Sequence, residues 1–158
     1  MTHSRFAAGS VLLALLAMNA SAQDCDQYAK SSFRIIREAS TFSVYALGEQ
    51  PSTPPEQMAF RCILKRDDAH DVLEALFDNA TPSGKLYAAA GLSLLAPAQG
   101  DKFLAALRKQ DVQVTYAAGC IVRNETVASL AEMLQSRPDV TRQLIEPRPD
   151  VSAALTFL

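Results

Sequence analysis

Apolar residues recur at helical spacing through the middle of the chain. From Glu56 to Leu64 they are Met58, Phe60, Ile63 and Leu64, and from Asp68 to Phe77 they are Val72, Leu73 and Leu76. Intervals of three and four residues place each set on one side of a helix, so both segments predict amphipathic helices with one buried stripe. Asp67 is the predicted N-cap of the second. Thr81 followed by Pro82 predicts another start, since proline fits best at the first helical position. The helix that follows, to about Leu95, is so rich in alanine and leucine that it reads as a central core helix. Pro97 to Gly100 predict a turn, and Asp101 a cap for a further helix to about Lys109 with Phe103, Leu104 and Leu107 inward.

The flanks are less regular. Asp24 to about Ser40 predicts a helix, with Tyr28, Ile35, Ile36 and Ala39 able to share a face. In Thr41 to Leu47 the alternation of Phe42, Val44 and Ala46 favours a strand. Gly48 to Pro55 predicts a loop, because Pro51, Pro54 and Pro55 deny it regular structure. Val112-x-Val114-x-Tyr116 predicts a local strand within Val112–Val122, and Glu125 to Gln135 a helix with Val127, Leu130, Met133 and Leu134 on one face. In the tail, "RPDVTRQLIEP" is echoed 11 residues later by "RPDVSAALTFL", two helical turns each opened by proline.

The two central helix pairs align at an offset of 31 residues, with Ala59, Ile63, Leu73 and Leu76 matching Ala90, Leu94, Leu104 and Leu107. A unit of that length lies near the range of helical solenoid repeats. The expected fold is therefore mainly α, with stacked antiparallel helix pairs forming a short α-solenoid-like domain and room for one short β-hairpin. The expected organisation is an export signal at 1–22, a helical domain at 23–136 and a partly packed C-terminal tail at 137–158.

The start of the chain has the three parts of a cleaved secretory signal. His3 and Arg5 open it, Val11 to Met18 form a short apolar run, and Ala20-Ser21-Ala22 is a small-x-small cleavage site. A periplasmic or secreted protein is expected. Without Arg5 the remainder holds 14 basic and 17 acidic side chains, a formal charge of −3, with no basic stripe. That balance argues against a nucleic-acid partner, and no later segment is long enough to span a membrane. Cys25, Cys62 and Cys120 remain after cleavage, so an oxidising compartment favours one disulfide and one leftover thiol. Cys62 with Cys120 is the expected pair, since both lie in apolar segments.

The candidate chemistries fail on spacing. Ser83-Gly84-Lys85 resembles the end of a phosphate-binding loop, but Asn79 stands where the first glycine belongs and Leu86 where Ser or Thr belongs. Gly91-x-Ser93 resembles a hydrolase elbow, but its fifth position is Leu95 and it lies inside a helix, where Ser93 would bond its own backbone. Asp67, His70, Asp71 and Glu74 share a helix side and form a weak candidate cation patch, which a solvated acidic first turn explains as well. No catalytic residue and no cofactor is assigned.

The signal together with "MAFRCIL", "ATPSGKLYAAAGLSLL" and "GCI" resembles a group of uncharacterised exported bacterial proteins, HEAT-like in being helical. Their pattern is Ala-Thr-Pro-x-Gly-x-Leu-Tyr-Ala followed by Gly-Cys-Ile, matched here at Thr81, Pro82, Gly84, Leu86, Tyr87, Ala88, Gly91, Leu92, Gly119 and Cys120. The resemblance covers about Phe42 to Leu134. It implies a helical-repeat-like fold and carries no activity. The functional expectation is a non-enzymatic protein-binding module, of immunity or inhibitor type, since repeat arrays present surfaces to other proteins. The alternatives are an envelope-acting hydrolase with an unrecognised site, or a small-ligand carrier.

Overall fold

The computed structural model describes residues 25, 28, 30–44 and 53–145. The expected export signal at 1–22, most of the loop after Gly48 and the second copy of the tail motif at 148–158 lie outside the described residues. Among the described residues are seven helices and one small sheet: α1 (Ser32–Arg37), β1 (Thr41–Ser43), α2 (Pro55–Leu64), α3 (Ala69–Asn79), α4 (Pro82–Leu95), α5 (Pro97–Leu107), β2 (Gln113–Ala118), β3 (Ile121–Thr126), α6 (Val127–Ser136) and α7 (Pro138–Ile145). The fold is mainly α with a short β element. None of these helices is long and apolar enough to cross a membrane.

Helix α4 is the centre. Thr81 caps it, its Oγ1 accepting from the Gly84 amide at 3.2 Å and donating to the Ala39 carbonyl at 2.5 Å. From Ser83 to Leu92 every residue except Lys85 is buried, so the helix has no solvent face along most of its length. Helices α3 and α5 pack along it, while α2 lies chiefly on α1. Gly91 lets α4 approach Leu73 of α3 and Phe60 of α2, and Gly100 lets α5 lie against Ser93. The 31-residue correspondence holds in burial for Ala59 and Ala90, Leu73 and Leu104, Leu76 and Leu107, all at most 1% exposed. Where a third pair would begin, the chain makes the hairpin β2–β3 instead, as the alternation after Val112 predicts.

The sheet runs in the order β1-β2-β3. Strand β1 is parallel to β2, with Thr41 opposite Thr115, and β3 is antiparallel, with Ala118 opposite Ile121 and Thr115 opposite Asn124. Tyr87 of α4 fastens β1, its hydroxyl accepting from the Ser43 amide at 2.9 Å and donating to the Ser43 carbonyl at 3.2 Å. The rings of Phe42 and Phe60 pack on Tyr87 at centroid distances of 4.9 and 5.6 Å. Thr126 caps α6 by accepting from the Ser129 amide at 3.1 Å. Helix α7 buries Val140 and Leu144, and Arg61 of α2 donates to the Leu144 carbonyl at 3.0 Å.

Three local expectations are corrected. Asp67 does not cap α3; the N-cap position is Asp68, and its carboxylate is held by Arg66 at 2.6 and 2.7 Å instead of by the helix. Pro97–Gly100 is not a turn but the first turn of α5, because Ala96 is the non-helical N-cap residue and Pro97 occupies the first helical position, so Asp101 lies inside the helix instead of capping it. Most important, Cys62 does not pair with Cys120. The disulfide joins Cys62 to Cys25, with Cα atoms 5.2 Å apart. Cys120 belongs to the two-residue tip between β2 and β3, beside Gly119 with φ +61°, and is exposed. A hairpin tip projects from the sheet, so the apolar character of its strands does not bury the residue that joins them.

Candidate functional site

Of the four residues in the candidate cation patch, the fold gathers three. The ligand atoms of His70, Asp71 and Glu74 lie within 4.8 Å of one another, whereas exposed Asp67 stays outside in the turn before α3. His70 Nδ1 is 3.5 Å from Asp71 Oδ1 and 3.9 Å from Glu74 Oε2. A fourth partner, Gln99 of α5, was not legible from residue spacing. Its Oε1 lies 2.7 Å from His70 Nε2, and its Nε2 donates to Glu74 Oε1. An amide oxygen only accepts, so Nε2 of His70 carries the proton and donates. The bond to Gln99 raises the His70 pKa above its ordinary value, with the bond to Asp71 and the charges of Glu74 and Asp71 acting in the same direction. As it stands, the cluster ties α5 to α3 at the surface.

The two motif-like stretches of α4 separate. Ser93 Oγ donates to the Ala89 carbonyl at 2.9 Å, the bond to its own backbone expected for a helical serine. The Lys85 ammonium sits 5.7 Å from the centroid of the Phe77 ring, engaged with α3. Ser83 differs. It is 1% exposed and lines a cavity of about 430 Å³ where the end of α1, the start of α4 and the sheet meet. A second groove of about 590 Å³ runs between α3 and α5 over Phe77 and Phe103, whose rings pack at 4.2 Å.

Among the described residues, the hairpin is the most exposed apolar feature. Ile121 is 57% and Val122 65% exposed, next to exposed Cys120. Strand β3 pairs with β2 along one edge only, and among the described residues nothing pairs with its outer edge. Arg123 lies over the Tyr116 ring at 5.5 Å and bonds Glu125 at 2.8 Å, fixing the charged residues of the strand on one side. Sequence reading missed this surface because it treated Gly119-Cys120-Ile121 as apolar and therefore inward. Gly119 was the available signal, since a glycine between two strand-like runs marks a turn.

Among these features the hairpin edge offers a surface, the start of α4 an open cavity of mixed lining, and the His70 cluster a tether. Compared with protein-family models, curated proteins and solved structures, the chain matches none of them.

Proposed function

We propose that the protein is a non-enzymatic, exported binding module, of immunity or inhibitor type, that docks an extended segment of a partner protein along β3. The outer edge of β3 carries this reading. An unpaired edge presents a row of backbone donors and acceptors to which another chain can add as a strand. Ile121 and Val122 supply apolar anchors at one end of that row, while most other large apolar side chains among the described residues are inside. The disulfide between Cys25 and Cys62 fits an oxidising compartment.

The test is a charge placed on the strand. Val122→Lys should leave thermal stability within about 0.5 kcal/mol, because the side chain is exposed. It should also weaken recovery of a co-purifying protein from the native compartment at least tenfold. Leu95→Lys, at another exposed position, should leave recovery unchanged. Equal recovery by both variants, or a wild-type protein that remains solitary after mild crosslinking, would overturn the proposal.

A further inference from the structure

We propose a metal site that does not depend on the docking edge: His70, Asp71 and Glu74 of α3, held in place by Gln99 of α5, bind one divalent transition cation of the zinc type.

The tautomer of His70 is the central observation. Its Nε2–H is engaged by Gln99 Oε1, 2.7 Å away on α5, so in the neutral ring Nδ1 keeps its lone pair. That lone pair faces two carboxylates, with Asp71 Oδ1 at 3.5 Å and Glu74 Oε2 at 3.9 Å. Three electron-rich atoms turned toward one point repel one another unless a proton or a cation stands between them. Zinc bonds to nitrogen and oxygen of about 2.0–2.2 Å, set at the tetrahedral angle, put neighbouring ligand atoms about 3.3–3.6 Å apart. The spacing found on α3 is close to that of ligands sharing one metal. The Asp71 side chain is 87% exposed, so its carboxylate is free to turn the remaining distance.

Gln99 does for this set what outer partners do in metal sites. A ligating imidazole generally donates its other N–H to an acceptor that fixes the ring, and ligating carboxylates are themselves hydrogen-bonded. Here one amide from a second helix does both. Its Oε1 accepts from His70, and its Nε2 donates to Glu74 Oε1, which leaves Glu74 Oε2 for the metal. A solvated run of acidic side chains needs neither the imidazole nor this brace from α5. The donor types select the cation. Imidazole beside carboxylate suits zinc and its first-row neighbours, whereas calcium and magnesium take oxygen ligands. Three ligands on an exposed helix face leave a further coordination position to water.

The experiment is a calorimetric titration of the processed chain with zinc ion, at about pH 8, where imidazole is free to ligate. Cys120→Ser is the background, so that the exposed thiol does not compete as a ligand. One saturable site per chain is expected, abolished by His70→Ala and weakened roughly tenfold or more by Glu74→Gln, with calcium and magnesium failing to displace the zinc. Gln99→Leu should weaken binding about 10–100-fold, the usual effect of removing an outer partner. The ¹⁵N resonances of the ring separate positioning from simple support of the fold. In the presence of Gln99, zinc should shift Nδ1 while Nε2 keeps its proton; in Gln99→Leu that selectivity should be lost. Absence of saturable uptake, uptake unchanged by His70→Ala, or displacement of zinc by an equal concentration of calcium would each overturn the assignment.

Discussion

Gly84 shows how much one missing methyl group decides. A Cβ there would collide with the carbonyl oxygen of Ile36 and with the Ala80 side chain. The glycine lets the end of α1 lie directly against the first turn of α4, which also brings Thr81 within reach of the Ala39 carbonyl. Gly84→Ala should therefore destabilise the fold by about 1–3 kcal/mol, the usual cost of overpacking against a neighbour that cannot move. Urea denaturation checks this, and a loss below about 0.5 kcal/mol would show that α1 yields. Thr81 and Pro82 announced the helix start in the sequence. The need for glycine three residues later was not legible, because the clash is with a residue 48 positions away in the chain.

At the scale of elements, helices were readable and their partners were not. The periodic spacing of Leu73 and Leu76, or of Leu104 and Leu107, gives a buried stripe but does not say which helix covers it. The parallel pairing of β1 with β2 joins segments on either side of the whole helical array, beyond any local pattern. The tether between α3 and α5 was half visible, with His70 and Glu74 one turn apart and Gln99 unsuspected. It makes this pair of helices sensitive to pH. The folded-state pKa of His70 is raised above 6.5, first through Gln99 and then through Asp71 and Glu74. Its contribution to stability is thus complete below the unfolded value and is lost as pH rises through the folded one. Wild-type protein should lose thermal stability relative to His70→Ala as pH rises above about 6.5, with Gln99→Leu in between. Parallel pH profiles for wild type and His70→Ala would remove this role.

For the whole molecule, the covalent link matters more than its cysteine count suggested. Three cysteines allowed three pairings, and burial of the surrounding residues pointed to the wrong one. The observed bond between Cys25 and Cys62, 37 residues apart, fastens the start of the described chain to α2. By the chain-entropy model a loop of this size is worth about 4 kcal/mol. Replacing both cysteines with serine should lower the unfolding free energy by about 2–4 kcal/mol. Denaturant titrations of the two forms measure it, and equal midpoints would mean the bond adds nothing to the packed helices. Cys120, exposed on the hairpin, should be labelled by a thiol reagent in the folded protein of either form.

The parallel pair also imposes an order in time. Thr41 finds its partner at Thr115, so a chain made from its amino end completes α1 through α5 before the strand that β1 awaits has been synthesised. During that interval Phe42 and Ser43 have no neighbour on the β2 side, although Tyr87 is already present to hold them. The cavity at the start of α4 comes later still, since Asn124 on β3 is part of its wall. The wall of that cavity is therefore complete only after every residue of α1 through α5 has been synthesised.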